Sequence, residues 1–129
     1  MYARKSPPTS SSGKKNSVAL KAFFGITRKW GLNSEQERVL LGTTKATFYR
    51  WKHHLDGALT LDTLERISYV LGIYKALRML LPNEHAANTW IHKPNSAALF
   101  GGRTALEKLL KGKVIDLADV RRYLDAERG

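Results

Sequence analysis

From Ser17 onward, apolar residues recur every three or four positions in runs closed by glycine or proline, a pattern that admits little besides short packed helices. Val18, Leu20, Phe23, Phe24, Ile26, Thr27 and Trp30 populate one broad face of a first helix, with Gly31 placed to end it. Ser34 and Glu37 have capping-box spacing for a second helix, which Gly42 stops. Thr44 is placed to cap a third, containing Phe48, Trp51 and Leu55 and terminated by Asp56-Gly57. Thr60 starts a fourth through Leu64, Ile67 and Leu71; Gly72 is expected to break it, leaving residues 73–81 as a fifth. Beyond Pro82, a short helix covers 85–91 and ends at Lys93-Pro94, and an irregular link follows over 95–102. Thr104 with Glu107 makes a second capping box, and Asp116 is placed to cap a last helix bearing Leu117, Val120 and Leu124. No stretch shows sustained β alternation, so the expected fold is all-α.

The chain has 129 residues, enough for one compact domain or two small ones sharing a core. The absence of cysteine excludes a disulfide scaffold, thiolate zinc sites and cysteine nucleophiles. Charge-free runs such as 67–74 and 94–102 fall well short of the roughly 18 apolar residues of a membrane span. The basic N-terminus lacks an apolar stretch behind it and does not read as a secretory signal, so a cytoplasmic location is expected. There is no His-Glu-x-x-His, no phosphate-binding Gly-Lys loop and no nucleophile elbow. His53 and His54 are adjacent, about 100° apart on a helix, and cannot chelate together. Neither an enzyme nor a cofactor or metal is expected.

Charge is the extreme compositional feature. The formal net charge is +11 and the isoelectric point near 10.1, which points to a polyanionic partner. Residues 1–54 hold 11 basic and 2 acidic residues, a net +9; residues 55–129 hold 11 and 9, a net +2. Residues 1–16 contain Arg4, Lys5, Lys14 and Lys15, two prolines, several serines and no acid, the composition of a disordered basic tail able to track phosphates. Residues 17–81 then form one domain and 82–129 a second.

The run Leu41-Gly42-Thr43-Thr44-Lys45-Ala46-Thr47-Phe48-Tyr49-Arg50-Trp51 has the form of a helix-turn-helix, whose second helix enters a major groove. Thr44, Phe48 and Trp51 cluster on one side and are expected to face the core, with Phe48 setting the angle between the helices. Ala46, Tyr49, Arg50 and His53 then point outward, with Lys45 and the helix N-terminus at Thr44 suited to a phosphate. Arg50 is the best direct reader because its fork can bond guanine O6 and N7 together. Tyr49 suits a phosphate or sugar and Ala46 a thymine methyl, while Lys52 and Arg28 are expected to neutralise backbone. Arg38, four positions before Gly42, stands where close helix packing wants a small side chain and is expected to snorkel past its neighbour.

In the second half, Trp90 reads as an aromatic anchor and Gly101-Gly102 as a tight turn into the capped helix. Trp90, Pro94-Asn95, Gly101-Gly102, Thr104, Leu106, Leu109-Leu110, Val120 and Leu124 as a set resemble the Xre/MbcA/ParS-type antitoxins. That resemblance covers roughly residues 18–129, and departs from the family only mildly, with Ala105 where a proline is usual. It implies a small toxin-binding domain behind the helix-turn-helix and a RES-domain toxin, of a type that consumes NAD, as partner. It implies toxin contact through Trp90, Asn95 and the C-terminal segment with Arg121, Arg122, Tyr123, Leu124 and Arg128, placed at the toxin's active-site entrance. It implies, too, a homodimer that represses the shared operon on double-stranded operator DNA. The alternative reading is a stand-alone helix-turn-helix regulator whose C-terminal half serves dimerisation or effector binding.

Overall fold

The computed structural model describes residues 9–55 and 57–129. Over these the chain is all-α, relieved only by an antiparallel bridge between Pro94 and Thr104. Helix α1 spans Thr9–Lys29, α2 Ser34–Leu41, α3 Lys45–His54 and α4 Leu61–Leu80. Then come α5 (Glu84–Thr89), a 3-10 turn (Trp90–His92), α6 (Ala105–Leu109) and α7 (Val114–Glu127).

Helix α4 is the spine shared by both halves. Leu20, Phe23, Phe24 and Trp30 of α1, Leu40 and Leu41 of α2, and Phe48 and Trp51 of α3 are buried in one continuous core with Ile67, Val70, Ile73 and Leu77 of α4. Ile91, Leu109, Leu117, Val120 and Leu124 extend that same core into the second half. The halves are also tied directly: the His92 Nε2 lies 2.6 Å from the Trp30 carbonyl oxygen, and Lys29 pairs with Glu84 at 3.6 Å.

Five local expectations are corrected. Gly72 does not break the spine; α4 runs straight through it. A Cβ at Gly72 would lie 1.8 Å from Nη1 of Arg121, so the glycine admits the guanidinium of α7 onto α4. Its neighbours Val70 and Ile73 are fully buried, and their packing offsets a helix-interior glycine penalty of about 1 kcal/mol. Second, the capping box of α2 is Asn33 with Gln36, one position upstream of Ser34 and Glu37, because Glu37 turns into the core. Third, α7 starts at Val114, so Asp116 is not its cap but lies inside the first turn, buried against Lys108. Fourth, α1 begins at Thr9 rather than Ser17, so residues 9–16 are helix and not tail. The Asn16 amide donates to the Gly57 carbonyl at 2.8 Å, anchoring this extension to the loop after α3. Residues 1–8 of the expected tail, and Asp56, lie outside the described residues. Val18, expected on the buried face of α1, is 62% exposed. The Thr104–Glu107 capping box forms as expected.

Candidate functional site

The turn between α2 and α3 is built from beneath. Gly42 adopts φ +66°, and a Cβ there would come within 2.5 Å of the Arg66 guanidinium. Arg66, largely buried, pairs with Asp62 at 2.9 Å and donates to the Val39 carbonyl at 3.4 Å. Thr63 donates to the Leu41 carbonyl at 3.3 Å, so α4 supplies donors to carbonyls that the end of α2 leaves open. Arg38 folds over the turn, donating to the Thr43 carbonyl at 2.8 Å and through Nε to Glu35 at 3.0 Å. The hydrogen bonds from Arg38 hold the Glu35 carboxyl below the ordinary glutamate value against the opposing effect of burial, with the charges of Arg38 and Lys45 adding.

A second lock sets the angle of α3. The buried Glu37 carboxylate accepts from Thr27 of α1 at 2.5 Å and from Lys52 of α3 at 2.6 Å. The Lys52 ammonium also reaches Ser34 at 3.2 Å and lies over the rings of Phe24 and Phe48. Lys52 is therefore a clamp between three helices, not a free phosphate neutraliser.

What remains on the outside of α3 is a basic face. Lys45, Ala46, Tyr49, Arg50 and His53 are all exposed, and α3 carries no acid. Lys45 and Arg50 form no ion pair among the described residues. Tyr49 is held edge-on against Phe48 at 5.2 Å between ring centroids, which fixes an exposed ring in place. Phe48 and Trp51 face the core as expected. Thr44 does not; it is exposed and accepts from the Thr47 N–H as the N-cap. Among the described residues no group of three His, Asp or Glu side chains is disposed to hold a metal.

In the second half, Trp90 stacks on Tyr123 at 6.3 Å and both meet Phe100 edge-on, at 5.9 and 5.2 Å. The loop behind them is stiff. The Asn95 side chain accepts from Ala97 N–H at 2.9 Å, its own N–H donates to Arg103, and Gly101 and Gly102 take positive φ to close the turn. Asn95 thus shapes the loop from within. On α7 and its C-cap every arginine is occupied: Arg121 and Arg128 with Asp125, at 3.1 and 3.4 Å, and Arg122 with Asp119 at 2.6 Å. Leu124, 1% exposed, is core and cannot touch a partner while α7 is docked. Burial alone lowers the Lys108 ammonium pKa, but bonds to Asp116 and Asp119 outweigh it and hold the group above the ordinary lysine value.

Comparison with known proteins finds two successive matches along the chain. Residues 14–72 match the antitoxin Xre-like helix-turn-helix domain, and residues 76–129 match the antitoxin Xre/MbcA/ParS C-terminal toxin-binding domain. The chain belongs to the Xre/MbcA/ParS antitoxin family. The uncharacterized protein y4oB of Sinorhizobium fredii (strain NBRC 101917 / NGR234) is 43% identical over 127 residues, 98% of this chain and 95% of its own length.

In family terms, the helix-turn-helix match ends at Gly72 and the toxin-binding match opens four residues later, both inside α4. The Arg121–Gly72 contact therefore joins the last residue of one domain match to the other domain. No helix among the described residues is long and apolar enough to cross a membrane. The Glu37–Lys52–Thr27 lock and the Arg66 support went unread in the sequence. Glu37 was visible there, but its spacing from Ser34 mimicked a cap.

Proposed function

We propose that this chain neutralises a cognate RES-domain toxin of the NAD-consuming type and, as a homodimer in the cytoplasm, represses the shared operon. The observation that carries the reading is the exposed, acid-free face of α3, held by α1 and α2 over a core that α4 shares with the toxin-binding half. Arg50 reads a guanine in the major groove, Tyr49 and His53 support it, and Lys45 with the helix start at Thr44 engages phosphate. Two such faces related by a two-fold axis read half-sites about one helical turn apart. On the other side, the edges of Trp90 and Tyr123, the loop held by Asn95, and the segment from Arg121 to Arg128 cover the toxin's active-site entrance.

The test combines two readouts. Co-expression should restore growth of cells carrying the neighbouring toxin gene, and truncation after Asp125 should release toxicity while operator binding persists. A deeper cut would remove buried Leu124, then Val120 and Leu117, and test folding instead. Arg50→Ala should cost about 1–3 kcal/mol of discrimination at one base pair. Operator binding without any effect on the toxin favours the stand-alone regulator.

A further inference from the structure

Within the toxin-binding domain, the loop of residues 94–104 and α6 enclose a cleft of about 540 Å³. Leu99, Phe100 and Leu110 line its apolar side; Leu99, 37% exposed, stands at its mouth. The walls are already rigid. Phe100 and Gly101 donate to the Ala97 carbonyl, Gly102 to that of Asn95 and Arg103 to that of Phe100, while the capping box fixes the start of α6. A site so ordered loses little further entropy on binding.

Its charge is net positive, with one carboxylate among the cations. Arg103 is 77% exposed at the side chain and meets Glu107 only at 3.5 Å. Glu107 is itself engaged by the Thr104 N–H at 3.0 Å, which together with the Thr104 hydroxyl holds its carboxyl below the ordinary value. Lys111 is exposed, with no ion pair among the described residues. Lys108 lines the cleft but is neutralised by Asp116 and Asp119. The cleft therefore presents an unpaired Lys111 and a widely exposed Arg103, partly offset by the Glu107 carboxylate, beside its apolar wall. The α7 face near Met79 differs, since there Arg121 and Arg128 are balanced by Asp125 and Glu127 lines the same surface.

We propose that this cleft grips a short acidic segment of the toxin, inserting one apolar side chain against Leu99, Phe100 and Leu110 while its carboxylates meet Arg103 and Lys111. The proposal rests on the reading of the chain as a toxin binder, though not on the toxin's chemistry. The volume lies in the range of sites that hold a few side chains, which suits a short segment. Phe100 also touches Trp90 and Tyr123, making the cleft continuous with the aromatic trio.

The experiment uses the full chain and the toxin encoded beside it, with affinity measured across a salt series. R103Q/K111Q should bind toxin at least about fivefold more weakly at low salt and with a shallower salt dependence. Leu99→Ser, a surface change, should weaken binding about tenfold with unaltered thermal midpoint and operator affinity. Wild-type toxin affinity in both variants overturns the cleft while leaving the proposed function standing. So does loss of operator affinity with toxin binding intact, which assigns the two cations to nucleic acid. Failure of the wild-type chain to bind the toxin removes the proposed function and the cleft with it.

Discussion

Two helices of the molecule, α3 in the first half and α7 in the second, hold their cations in opposite ways. On α3, Lys45 and Arg50 are exposed without an ion-pair partner among the described residues, and the one lysine of that helix drawn into a network, Lys52, serves the core. On α7 and its C-cap, Arg121, Arg122 and Arg128 are each paired with an aspartate of α7. Unpaired exposed cations gain by displacing counterions from a polyanion, whereas self-paired ones must first lose a partner. The uneven charge of the sequence, +9 then +2, thus becomes a difference in availability as well as in number. It teaches that the α7 arginines are poor candidates for a phosphate cradle, and that a protein partner is the better match for that half.

The sharpest way to break this contrast is to ask which residues of α7 belong to the core. Leu124→Ala should lower stability by about 3 kcal/mol, read from urea denaturation, because it opens a cavity beneath α7. Wild-type stability with lost toxin binding would instead return Leu124 to the interface. A smaller effect separates two glycines that both shelter a guanidinium. Gly42→Ala should cost about 2 kcal/mol, since it strains a left-handed residue and displaces the buried Arg66. Gly72→Ala should stay within about 1 kcal/mol of wild type, because helix propensity offsets the displacement of a partly exposed Arg121 side chain. An equal loss at both positions would show Arg121 to be as firmly embedded as Arg66.

The smallest effect concerns pH. Glu107 is held below the ordinary glutamate value by the Thr104 N–H first and its hydroxyl second. The capping box therefore contributes fully above the unfolded-state value and is lost as pH falls through the folded one. A carboxyl NMR titration should give a depressed midpoint for Glu107, tracked by the Thr104 amide. An ordinary midpoint would show the box to be loose and the adjoining cleft less ordered than described.

Local signals were legible in the sequence, and long-range partners were not. The Gly42 turn, the Thr104–Glu107 box and the outward face of Ala46, Tyr49, Arg50 and His53 each depend on residues within a few positions of one another. Gly72 misled because its reason is Arg121, far along the chain, and glycine alone does not distinguish a break from a close approach. Asp116 and Glu37 misled similarly: each carries the residue type of a helix start, but a buried lysine or threonine elsewhere claims the carboxylate. Arg38 was expected to pass its neighbour by snorkelling, and instead bonds the turn itself. Leu124 was placed on the right stripe, and only the docking of α7 decides that the stripe is core.

The most direct measurement mixes the purified chain, its neighbouring toxin and an operator duplex, and determines the mass of the assembly in solution. The structure predicts a ternary complex, because the face of α3 and the surfaces around Trp90 and α6 are separate. A chain that holds DNA or toxin only by releasing the other would contradict two independent faces on one spine.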